Sequence, residues 1–99
     1  MSGINWKVEK LKGLMSRPFF VFIRTSSGDY SGALYLVRNG EPEYIGYGEI
    51  KDLLKDIPDD VEWKPEENLV YIDNSEFGTK EDDEWLEALK IVFPDEFDP

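Results

Sequence analysis

The chain contains no cysteine and no histidine. Without thiols there is no disulfide and no thiolate nucleophile. Without imidazole the commonest zinc ligand and the usual general base are missing as well. No apolar run approaches the ~20 residues that a membrane span requires. The opening MSGINWKVEK has no apolar stretch of the signal-peptide kind, so a secretory leader is not expected. There is no glycine-rich phosphate-cradling loop, no internal repeat and no low-complexity linker. These absences lead us to expect one soluble, cytoplasmic domain spanning residues 1–99, with no cofactor and no membrane contact.

Positive charge is also scarce. Eleven Lys and Arg face 22 Asp and Glu, for a net charge of −11. The imbalance is uneven. Residues 1–40 carry a balance of +4, and residues 41–99 carry −15. A phosphate backbone is repelled by such a chain, so no direct nucleic acid binding is expected. A protein partner with a basic surface fits the charge better. The alternative is that the acidic part simply covers the basic part and the remaining charge is solvated.

What is present begins with Pro18 to Val37, PFFVFIRTSSGDYSGALYLV. Phe19 to Ile23 are aromatic or β-branched and suit a pleated surface. Ser26, Ser27, Gly28 and Asp29 supply turn chemistry, and Tyr30 to Val37 runs back. The pattern predicts a β-hairpin with a four- or five-residue loop. Before it, Ile4, Val8, Leu11 and Met15 recur at helical spacing, with Lys7, Lys10 and Lys12 mostly off that stripe. After it, Asn39-Gly40 signals a tight turn. Glu43 to Gly48 reads as a third strand, whose glycines suggest a bulge or a close approach. Ile50, Leu53, Leu54 and Ile57 give one helical face, ended by Pro58. Val61 to Trp63 reads as a short strand, and Leu69 to Asp73 as another, placed centrally. Thr79 with Asp82 resembles a capping box. It opens a helix whose apolar face is Trp85, Ala88, Leu89, Val92 and Phe93. Asp95 to Pro99 is expected to fray. The predicted fold is α+β: a strongly bent antiparallel sheet of about five strands, or a small open barrel, with an N-terminal helix, a short middle helix and a C-terminal helix.

Residues 5–37 resemble the opening of Sm-like domains, in which a short helix leads to a strand, a Gly-bearing turn and a strand with a second Gly. Here these are VEKLKGLM, FFVFIRT, Ser27-Gly28-Asp29, and Gly32 within YSGALYLV. The resemblance covers about a third of the chain and implies the strand–turn–strand shape, with an oligomeric module as its functional corollary. No Arg-Gly pair stands near the C-terminus, so no RNA-binding residue carries over.

Three residue sets are candidates for chemistry or binding. Asp73, Ser75, Thr79, Glu81 and Glu84 fall at ligand positions of a twelve-residue calcium loop, with Gly78 at its turn. Asp73, Ser75 and Glu84 are the metal candidates, but a strand-to-helix loop with an N-cap accounts for the same residues. Asp59-Asp60, Asp82-Asp83 and Asp95-Glu96 are adjacent acids that could serve a carboxylate-based or metal-dependent hydrolase. Acids on turns and helix starts are more often solvated, and catalysis requires one whose pKa is raised. Tyr30, Tyr35, Tyr44 and Tyr47, with Glu81, Asp82 and Asp83, are the interaction candidates. Tyr and Trp are favoured interface anchors, although the same rings can pack under helices. The functional expectation is a small acidic non-catalytic interaction protein: an adaptor, an inhibitor or a nucleic-acid mimic of the size common in viruses and mobile elements. The open edges of the sheet suggest a homodimer held by the hairpin.

Overall fold

The structure is a computed structural model and describes residues 3–97. Helix α1 spans Gly3–Leu14. Strands β1 (Phe19–Arg24), β2 (Gly32–Arg38) and β3 (Glu41–Gly48) follow. Helix α2 (Ile50–Leu53) runs into a 3-10 turn at Leu54–Asp56. A single turn, α3 (Pro65–Asn68), precedes β4 (Leu69–Asp73), and α4 spans Lys80–Val92. The fold is α+β with one open sheet.

The sheet has four strands in the order β3-β2-β1-β4. β1 pairs antiparallel with β2, and β2 with β3, but β4 runs parallel to β1. The expected five-strand, wholly antiparallel sheet is therefore corrected to a mixed sheet of four. The missing strand is Val61 to Trp63. Pro58 and Pro65 fence this segment, and Val61 N–H bonds back to the Pro58 carbonyl. Both Val61 and Trp63 pack on Phe20, Phe22 and their neighbours instead of pairing. β4 lies at an edge, not at the centre. Parallel strands require a crossover, and here β2, β3 and α2 form it.

β1 occupies an interior position, and all six of its residues are buried. Helices α1 and α4 cover one face, where Phe19, Val21 and Ile23 meet Leu11, Ile72, Leu89 and Phe93. Helix α2 and the segment after it cover the other, where Phe20 and Phe22 meet Leu34, Leu36 and Leu53. A strand buried on both faces reads as an unbroken apolar run, which is why Phe19 to Ile23 shows no alternation. Both edges of β1 are paired, so the hairpin strand expected to hold a dimer is core.

Asn39 (φ 57°) and Gly40 (φ 76°) form the two-residue turn that the sequence signals, with Arg38 opposite Glu41. The first hairpin loop is longer than expected, Thr25 to Ser31, and is closed by Thr25 and Ser26 N–H groups on the Ser31 carbonyl. In β3 the register slips between Leu34 and Tyr35, leaving Ile45 as the extra residue of a bulge. The bulge turns Gly46 toward Leu53, where a Cβ would stand 3.0 Å from its Cδ2.

Two side chains depart from the sequence pattern. Lys7 is only 3% exposed, since its position faces the α1–α4 seam. Its ammonium donates to Glu84 Oε1 at 3.2 Å and lies over Trp6 and Trp85. Phe97 lies within the segment expected to fray, yet it is buried against Tyr35 and Phe93. Asp98 and Pro99, the rest of that segment, lie outside the described residues.

Candidate interaction surface

The C-terminal ends of β1 and β4 lie side by side, and Arg24 joins them. Register pairs Arg24 with Asp73, and Arg24 Nη1 donates to Asp73 Oδ2 at 3.1 Å. Arg24 Nε donates to the Ser26 and Asp29 carbonyls at 2.9 and 3.1 Å, fixing the long hairpin loop. Within that loop the Asp29 carboxylate accepts the Ser31 N–H, and the Ser26 hydroxyl accepts from Gly28 and Asp29. The Ser26 hydroxyl beside Asp29 is the main influence holding its carboxyl below the usual range. Ser27 Oγ accepts the Glu76 N–H at 3.2 Å and ties this loop to the one after β4.

Asp82 links β4 to α4. Its Oδ2 accepts the Thr79 N–H at 2.9 Å, completing the capping box with the Thr79 hydroxyl. Its Oδ1 accepts the Asp73 N–H at 3.1 Å. Burial pushes the Asp82 pKa up, but the N–H groups of Thr79 and Asp73 outweigh it, and the net shift is down. Asp73 is held low first by the Ser75 hydroxyl and N–H, with Arg24 adding to them.

Rings surround this network. Arg24 stacks under Tyr30 at 4.4 Å and lies 5.6 Å from Phe77. Tyr71 packs on Phe22 and is 42% exposed. Its phenol is pushed up by burial, which the Arg24 charge opposes. Tyr30 and Phe77 are more exposed still. The candidate tyrosines do not form one patch. Tyr30 lies in the loop at the β4 side, not in a strand. Tyr44 stands on β3 at the opposite edge and packs edge-on against half-buried Tyr35. Tyr47, also on β3, bonds Thr25 through its hydroxyl at 2.7 Å.

Glu81 and Asp83 are exposed on the first turn of α4, where the helix dipole favours them. Asp73 and Ser75 bond one another, whereas Glu84 is engaged by Lys7. Among the described residues no three carboxylates converge as metal ligands would, and no helix is long and apolar enough to cross a membrane. Asp60 pairs with Arg38 at 3.3 Å.

Sequence reasoning missed Tyr71 and Phe77. The signal for Tyr71 was present in L-V-Y-I-D, where Val70 and Ile72 share the buried face and Tyr71 must take the other. Phe77 follows Ser75 in a turn, and nothing in its local pattern marks it as exposed.

No protein-family model, no curated protein and no solved structure matches this chain.

Proposed function

We propose that this is a small acidic, non-catalytic interaction protein, an adaptor or inhibitor, that binds a partner with a basic surface. The observation that carries this reading lies around β4 and α4. Residues 66–87 hold nine acids and a single Lys. Of these acids Asp73 and Glu84 are matched to Arg24 and Lys7. The other seven make no ion pair among the described residues. Tyr30, Tyr71 and Phe77 stand exposed beside them. Exposed rings next to unmatched charge supply an anchor and a steering field together.

Four of the acids also lean away from proton-transfer work. A general acid near neutral pH requires a raised pKa. Asp29, Glu62, Asp73 and Asp82 are all shifted down.

Affinity capture at low salt, followed by reconstitution from purified components, tests the proposal. The expected result is a stoichiometric complex that weakens steeply as salt rises. A complex indifferent to salt, or one that persists after the seven acids are neutralised, overturns it.

A further inference from the structure

Both outer strands of the sheet have an open side, and the two sides differ. At β3, Arg38 faces Glu41 across the two-residue turn, so Glu41 and Glu43 direct their backbone groups to β2 and Pro42 points outward. Pro42 has no N–H to offer, and the bulge at Ile45 breaks the line. Both are devices that blunt an edge. β4 has neither. Two hydrogen bonds fix its orientation. Asn74 N–H donates to the Arg24 carbonyl at 2.8 Å, so Asn74, Ile72 and Val70 face β1. Asp73 N–H donates to Asp82 Oδ1, so Asp73, Tyr71 and Leu69 face away. Asp82 satisfies one outward N–H. The N–H and C=O of Tyr71 remain on the open side, next to a cleft of about 260 Å³ lined by Lys10, Leu14, Glu66, Glu67, Tyr71 and Trp85.

We infer that the outer edge of β4 accepts a short extended segment of a basic partner protein, which adds beside it as a fifth strand. This rests on the interaction reading above and names its surface and the chemistry of its partner. Strand addition draws affinity from main-chain bonds and specificity from alternate side chains. Asp82 closes one end of the edge and α3 closes the other, so pairing extends over about three residues. Alternate side chains of the segment reach the apolar wall of Leu14 and Trp85 on one face and Tyr71 on the other. Glu66 and Glu67 lie on α3, at the start of β4, and Glu76, Glu81 and Asp83 lie on the loop and the first turn of α4 that follow its end. Lys or Arg flanking a short apolar core therefore matches the site. A second copy of this chain does not, because it brings its own −11.

The probe is a synthetic heptapeptide of three Val flanked on each side by two Lys, titrated into the labelled protein and followed by amide NMR and hydrogen exchange. The expected result is slowed exchange at the Tyr71 amide, with shifts centred on Leu69 to Asp73 and none on β3. Methylating alternate peptide nitrogens abolishes the effect, and so does replacing Lys by Glu. Compared with Tyr71→Ala, which loses the ring but keeps the outward N–H, Tyr71→Pro loses both and abolishes the shifts that Tyr71→Ala retains. The methylated peptide keeps the test independent of how well that variant folds. Shifts confined to α4 with Tyr71 exchange unchanged overturn the edge and leave the interaction reading standing. A probe that perturbs nothing counts against both. Protection of Tyr71 that grows with protein concentration, without peptide, shows a second copy on the edge and overturns the assigned occupant.

Discussion

Arg24 and Asp73 stand opposite one another on the two parallel strands, 3.1 Å apart and both largely buried. Asp73 also accepts from Ser75, and its own N–H is taken by Asp82. One side-chain chain therefore runs from the hairpin loop through β1 and β4 to the cap of α4. The rings and acids of the proposed surface stand on this frame.

The frame makes stability depend on pH. Asp29, Asp73 and Asp82 all bind protons more weakly when folded than their ordinary value of 3.8. The unfolded chain therefore takes up more protons on acidification. The stabilisation is complete above 3.8 and is lost as pH falls through the lower folded values. Relief of self-repulsion in a chain of net charge −11 acts the other way. At high salt, where that repulsion is screened, the melting temperature should drop on moving from neutral pH into this window. Asp73→Asn and Asp82→Asn should each flatten the slope. A melting temperature that rises steadily into acid at high salt would show that these carboxylates do not couple to folding.

Helix α4 should be held more by Leu89 than by Trp85. Leu89 is fully buried between the helix and the sheet. Trp85 is half-buried and meets Trp6 edge-on at 5.6 Å. Leu89→Ala should cost ~2–5 kcal/mol, a large share of the ~5–15 kcal/mol typical of a small domain. Trp85→Ala should cost less, because part of its ring is already in water. Urea denaturation of both variants orders them, and a larger loss at Trp85 contradicts the packing described.

Local chemistry was legible in the sequence where it was decisive. Asn39-Gly40, the Thr79–Asp82 cap and the apolar face of α4 depend on residues a few positions apart. The bulge in β3 was legible from its glycines. The order of strands was not, because β4 pairs with β1 across some fifty residues and nothing in LVYID says which neighbour it takes. Lys7 was misread for a related reason. A lysine on a helix is normally solvated, and its burial is made tolerable by Glu84, 77 residues away, and by the Trp6 and Trp85 rings beneath its ammonium. The candidate tyrosines were named by type alone, and their placement on β2, on β3 and in the first hairpin loop follows from that same strand order.

Phe97 should behave as core despite its place in the acidic tail. It is 7% exposed and lies 4.8 Å from Tyr35 and 5.6 Å from Phe93, ring to ring. Phe97→Ala should destabilise by about 3 kcal/mol, the lower end for a buried Phe because it sits at the margin of the core. It also has a specific signature. Burial raises the Tyr35 phenol above its ordinary value of 10.0, with Tyr44 adding to the effect. Removing the Phe97 ring admits water to Tyr35, so its pKa should fall toward that value in an NMR titration. An unchanged Tyr35 pKa with unchanged stability means the tail is not docked.

The three neighbouring acids Glu81, Asp82 and Asp83 should separate into two kinds. Asp82 is structural: it completes the cap of α4 and fills the last outward N–H of β4. Asp82→Ala should cost about 1 kcal/mol from the lost cap, with more from the unpaired Asp73 N–H. Glu81 and Asp83 make no ion pair among the described residues and point into water at the helix start. Glu81→Gln and Asp83→Asn should move stability by no more than ~0.5 kcal/mol, with a small loss from the dipole. On a basic partner the order reverses. Neutralising Glu81 and Asp83 together should slow association and weaken its salt dependence, since rim charges act mainly on the rate of encounter. Stopped-flow association at two salt concentrations, alongside thermal melts, reads both effects. If the double variant loses stability but keeps its association rate, then these acids serve the fold, and the steering charge lies elsewhere on the chain.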